Sequence, residues 1–215
     1  MKYVKLKGSS LSYLALGDSY TFGKKVSADQ SWPAQLVRLL RSSGVQMKNP
    51  EILATTGWTT YDLHNAIRQT DLHPPYDLVS LLIGVNNQIQ KLEVAEYSNQ
   101  FQSLLEKAIR LSGNTPSRVL VLSIPDYSVT RFGRRKNSKK VSAQIAMYNR
   151  INRAITENLH AHYIDITAVS REAAEDDDLI TCDGLHPSAK MYAEWAEKAA
   201  AVMAAEIKEW SNTTS

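Results

Sequence analysis

Two kinds of stretch alternate along the chain. Short, almost unbroken apolar runs lie at 12–16, around Ile52-Leu53-Ala54 within 45–55, and at 77–83, 118–124 and 162–166. Runs of that length, bounded by glycine, proline or polar turns, predict buried strands. Between them apolar residues recur at helical spacing, as at Trp32, Leu36, Leu39 and Leu40 in 31–43. Asp29 or Ser31 can cap that helix, Pro33 suits its first turn, and Gly44 ends it. The same period predicts helices at 61–69, 93–111 and 142–160, with a last one running to about Trp210. His73-Pro74-Pro75 closes the second, because a residue before proline leaves the helical region. The run at 77–83 has the two-sided apolar character of a strand covered on both faces of a parallel sheet. Strand and helix alternate throughout, which predicts an α/β fold: a three-layer α/β/α sandwich, flavodoxin-like, on a mainly parallel five-stranded sheet. No internal repeat or linker interrupts it, so 1–215 reads as one domain.

Composition narrows the partners. At 215 residues with 43% hydrophobic content the chain can bury a full core. A net charge of +3 gives no reason to expect nucleic acid or an anionic membrane as partner. No apolar run approaches the roughly 20 residues that cross a bilayer. Residues 1–7 are basic but lack the apolar core and cleavage site of a signal peptide. The single cysteine, Cys182, excludes an intrachain disulfide and suits a reducing cytoplasm.

The chemistry gathers in turns. In parallel α/β sheets ligands bind outside the carboxyl ends of the strands. Gly17-Asp18-Ser19, Thr56-Gly57, Gly84-Val85-Asn86-Asn87 and Asp126 all follow strands, so they should share one rim. With Asp183-Gly184-Leu185-His186-Pro187 they form an ordered set spanning nearly the whole chain. That set resembles the SGNH hydrolases, the GDSL-type esterases and lipases, and within them the lysophospholipase-L1-like bacterial branch. Gly17-Asp18-Ser19 matches the first block, Gly57 the second, Gly84-Val85-Asn86 the third and the Asp183–His186 stretch the last. The third block often continues with aspartate; here Asn87 stands in its place, which bears on how that loop is pinned.

The resemblance implies ester hydrolysis through an acyl-serine, with a small-molecule ester as substrate and no metal or organic cofactor. A serine hydroxyl is a weak nucleophile until a base takes its proton. Ser19 is the candidate nucleophile and His186 the base, since an imidazole titrates near neutrality. Asp183, three residues earlier, can reach Nδ1 of His186 and leave Nε2 facing Ser19. The start of the last helix would help keep the imidazole neutral. The oxyanion would be met by the backbone N–H groups of Ser19 and Gly57 and the side-chain amide of Asn86. Each has a plainer reading: a capping loop for Asp183 and His186, ordinary turns for Gly57 and Gly84, an Asx-turn for Asn86.

Other residues are read structurally. Asp18 anchors its turn, and Cys182 is a small buried thiol rather than a rival nucleophile. His64, His73, His160 and His162 show no metal-ligand spacing, and Asp176-Asp177-Asp178 is a solvated turn. Trp58, Tyr20 and Tyr127 either line a pocket or belong to the core. The basic stretch 131–140 is a solvated loop by default. Leaving from the same rim, it could instead supply a lid through Phe132, or favour anionic substrates through Arg134 and Arg135. A rival reading makes the Ser19-Tyr20-Thr21 turn a phosphate or flavin mononucleotide cradle without hydrolase activity.

Overall fold

The computed structural model describes residues 10–212; the N-terminal segment read as lacking a signal peptide lies outside them. Five parallel strands form one sheet in the order β2-β1-β3-β4-β5. They are β1 (Tyr13–Asp18), β2 (Glu51–Thr55), β3 (Leu78–Leu82), β4 (Val119–Leu122) and β5 (His162–Ile164). The three inner strands are buried along their whole length, as their unbroken apolar runs require, whereas the edge strands are only part-covered. This is the flavodoxin-like order of a three-layer α/β/α sandwich, and its direction of winding switches beside β1.

The long helices supply the outer layers. They are α2 (Trp32–Ser42), α3 (Thr60–Gln69), α5 (Val94–Leu111), α7 (Ser138–Asn158) and α9 (Ala189–Asn212). α2 packs on α9, while α3, α5 and α7 pack side by side. Helical spacing in the sequence locates each of these to within a few residues. Four short helices were not legible: α1 (Ser19–Phe22), α4 (Val85–Ile89), α6 (Arg131–Arg134) and α8 (Thr167–Arg171). One turn of helix is too short to display a period, so they read as loops. All follow strands, and α1 and α4 carry site residues. Most of the basic stretch 131–140 is helical, α6 and the start of α7, with a turn at 135–137 between them, rather than one loop. Among the described residues no helix is long and apolar enough to cross a membrane.

Candidate active site

The first block is a strand-to-helix junction with no spare volume. A Cβ on Gly17 would lie 2.1 Å from Thr21 Oγ1 and 2.4 Å from the Leu82 carbonyl, so only glycine lets β1 approach β3 and α1 this closely. Asp18 ends β1 and caps α1, accepting from the Tyr20 N–H at 2.9 Å. The anchoring role read from sequence is the one found. Ser19 is thereby fixed as the first residue of α1 at the carboxyl end of β1.

The last block folds back on itself. Ile180 and Pro187 form an antiparallel bridge, and Thr181 donates its N–H to the His186 carbonyl at 2.8 Å. Inside this loop Asp183 Oδ1 accepts from the N–H groups of Leu185 (2.9 Å) and His186 (3.0 Å) and from the Thr181 hydroxyl (3.0 Å). Asp183 Oδ2 is left 2.7 Å from His186 Nδ1, and His186 Nε2 lies 3.1 Å from Ser19 Oγ. Asp183 thus caps the loop and contacts the imidazole at once: the plain and the functional reading describe different oxygens of one carboxylate. His186 is wedged against Tyr20, with ring centroids 5.6 Å apart, and Tyr20 in turn packs on Trp195. Tyr20 is therefore a core aromatic that holds the imidazole in place.

Electrostatics follow from burial. His186 titrates below the ordinary histidine value, chiefly because burial disfavours the imidazolium; Asp183 opposes this, and Lys24 and Lys25 add to it. The expected contribution from the last helix is indirect at most, since α9 begins three residues later. Burial pushes the Asp183 carboxyl up, but hydrogen bonds from the His186 backbone and ring and from the Leu185 N–H outweigh it and hold it at about 2. Burial raises Asp18 to about 7 against the hydrogen bond from Tyr20.

The second and third blocks meet the first across the sheet switch. Gly57 has a φ of +85° with open space where a side chain would stand, so backbone conformation rather than crowding favours glycine. Asn86 lies in α4, directly after β3. Its Nδ2 donates to the Trp58 carbonyl at 2.9 Å and approaches Asp18 Oδ2 at 3.4 Å. Asn87 accepts from the Thr60 N–H at 3.0 Å and donates to the Thr60 hydroxyl at 2.7 Å. This side chain, flagged in the sequence only as a departure from pattern, ties α4 to the start of α3.

One expectation needs correction, and several other side chains have partners that the sequence did not indicate. Cys182 is exposed, not buried, because it sits at the tip of the 180–187 loop. Arg134 is engaged with the Ala174 carbonyl at 2.9 Å. Asp176 is not merely solvated: it pairs with Lys190 at 2.6 Å. His162 stands 3.0 Å from Glu206. Among the described residues no three His, Cys, Asp or Glu side chains converge as metal ligands would. Lys24 and Lys25, whose charges reach His186, carried no signal in the sequence.

Comparison with known proteins agrees with this architecture. A structure of a protein assigned to the lipolytic G-D-S-L family from Desulfitobacterium hafniense DCB-2 aligns at 19% identity and a TM-score of 0.69, covering 90% of this chain and 99% of that one. A structure of TesA aligns at 17% identity and a TM-score of 0.68, covering 89% and 97%. Axe2, an acetylxylan esterase from Geobacillus stearothermophilus, aligns at 19% and 0.64, covering 93% and 95%. At such identities these matches speak to fold. A search of curated proteins gave no match. The model of the GDSL-like Lipase/Acylhydrolase family matches residues 15–194, a span that holds all four blocks. The chain belongs to the GDSL-like lipase/acylhydrolase family of carboxylic ester hydrolases.

Proposed function

We infer that the chain is a single-domain serine esterase that cleaves its substrate through an acyl-serine intermediate. The observation that carries this is the continuous relay from Asp183 through His186 to Ser19, at 2.7 and 3.1 Å. Ser19 Oγ attacks the ester carbonyl while His186 Nε2 takes its proton. Asp183 fixes the tautomer with Nδ1 protonated and stabilises the imidazolium that forms. The tetrahedral oxyanion is met by the N–H groups of Ser19 and Gly57 and by Asn86 Nδ2. The Trp58 carbonyl holds one amide hydrogen of Asn86, and the other, which rests at 3.4 Å from Asp18 Oδ2, is the one an oxyanion would draw to itself. Collapse expels the alcohol, protonated by His186. Water, deprotonated by the same imidazole, then releases the acid and restores Ser19.

The substrate class is a small carboxylic ester, the acyl and alcohol parts open among acetyl, longer acyl and thioester groups. A reducing cytoplasm suits a chain with one exposed cysteine. The rival phosphate or flavin cradle would leave the imidazole beside Ser19 without a task. A fluorophosphonate probe tests the reading. Covalent labelling mapped to Ser19, and lost in Ser19→Ala, is expected; labelling elsewhere, or none by a folded active protein, rejects it.

A further inference from the structure

A cavity of about 590 Å³ opens on the same rim of the sheet, among residues that follow β3 and β4. One wall is Gln88, two residues beyond Asn86 on α4, hence about 3 Å further along the helix axis. Beside it stands Tyr127, just past the carboxyl end of β4, whose hydroxyl donates to Gln88 Oε1 at 2.8 Å. Gln88 Nε2 donates onward to Gln144 at 2.9 Å, so the polar floor of the cavity is tied down. Three lysines stand around it: Lys91 after α4, Lys136 between α6 and α7, and Lys140 in the first turn of α7. No carboxylate lines the cavity, and among the described residues none of the three ammonium groups has an ion-pair partner. Lys136 is positioned over the Phe132 ring, 4.8 Å from its centroid. Three cations lining one concavity that holds no carboxylate make it attractive to an anion.

We propose that this cavity binds a phosphate carried by the ester substrate, making Lys91, Lys136 and Lys140 the determinants of specificity. The proposal rests on the reading of Ser19 as the esterase nucleophile. A phosphate monoester brings close to two charges and three acceptor oxygens, which matches three ammonium groups from separate elements better than a single carboxylate does. Ile89 and Val141 give the cavity an apolar side for the organic part. The volume falls in the range of small-molecule sites, about 300–1,000 Å³. The arginines first suspected from the sequence, Arg134 and Arg135, are not at this cavity; the cations are lysines from the same stretch and from the far side of the rim.

The test uses the full chain and two matched esters, an acylated glycerol phosphate and the corresponding neutral acylated glycerol. Combining Lys91→Gln, Lys136→Gln and Lys140→Gln is expected to lower the kcat/KM ratio of phosphorylated to neutral ester at least tenfold. Lys140→Glu alone should lower it measurably. The effect should shrink in high salt, since the lysines are solvent-exposed. Calorimetry with glycerol phosphate and the Ser19→Ala protein reads the cavity without turnover; a tenfold weaker Kd in the triple-lysine background is expected. An unchanged ratio with an unchanged Kd overturns the proposal. Fluorophosphonate labelling of Ser19 judges the esterase reading separately, and calorimetry judges the cavity whether or not either ester is turned over. Comparing acetyl with dodecanoyl esters separates a water-soluble phosphate ester from a lipid one.

Discussion

Side chains in this site divide between those that must react and those that must fit. In the proposed mechanism Ser19 and Asp183 are of the first kind. Ser19→Ala should lower kcat by several orders of magnitude, about a million-fold at the upper end for a triad serine. Asp183→Asn is a finer probe. The asparagine can still accept from the Leu185 and His186 N–H groups through Oδ1, so the loop survives. Its amide would face His186 Nδ1 with hydrogens and favour the wrong tautomer. A fall of about ten-thousand-fold in kcat, with KM nearly unchanged and the melting temperature close to wild type, is expected in steady-state assays. Gly17 is of the second kind. Gly17→Ala forces a methyl into Thr21 Oγ1 and the Leu82 carbonyl, and the second of these is backbone that cannot step aside. A loss of about 1–3 kcal/mol in urea denaturation is the expected overpacking cost.

Among elements, the short helices α1 and α4 matter more than their length suggests, because each turns the chain sharply at the end of an inner strand. α4 is held by Asn87, which is almost fully buried and faces the start of α3. Thr60 donates its one hydroxyl hydrogen to Gln100 Oε1 at 2.5 Å, so that hydroxyl can only accept from Asn87. An asparagine satisfies the arrangement, donating to the hydroxyl and accepting from the Thr60 N–H; an aspartate would set acceptor against acceptor. Here lies a physical reason for the departure from the usual pattern at this position. Asn87→Asp should therefore destabilise by about 1–3 kcal/mol, more at pH 8 than at pH 5, as read from urea midpoints. Equal midpoints for the two proteins would show that the network rearranges freely. This detail was not legible in the sequence, where Asn87 is a mismatch without a partner. The inner strands were legible because burial on both faces leaves an unbroken apolar run. The long helices were legible because their amphipathic period repeats over several turns. Pairings across 27 or more residues, such as Asn87 with Thr60 or Gln88 with Tyr127, leave no such periodic trace.

For the whole molecule, three buried or half-buried acids and bases make both activity and stability depend on pH, and their signs differ. In the proposed mechanism His186 must be neutral to accept the Ser19 proton, and its value is lowered by burial and by Lys24 and Lys25. The acid limb of kcat/KM should therefore fall below the ordinary histidine value of about 6.5. Lys24→Gln with Lys25→Gln should move that limb upward. In stability, a lowered imidazole means that the unfolded chain binds a proton the folded one refuses, so stability rises with pH up to about 6.5. Asp183, held at about 2, contributes stability that is complete above the unfolded carboxylate value of about 3.9 and is lost as pH falls toward 2. Asp18 works the other way. Its folded value is raised to about 7, so between about pH 4 and 7 the folded protein keeps a proton that the unfolded chain has released. Stability then decreases with rising pH through that window. Asp18→Asn retains an acceptor for the Tyr20 N–H and removes the titration. Urea midpoints for this variant, set against wild type, should improve more at pH 7.5 than at pH 4.5. An equal offset at both values would mean that Asp18 stays ionised inside the fold, and Asn86 would then rest against a permanent negative charge at 3.4 Å. In that event Asp18→Asn, with its Oδ1 kept on the Tyr20 N–H, sets its own amide nitrogen against Asn86 Nδ2, donor against donor, and kcat should fall, which the same protein preparation can report.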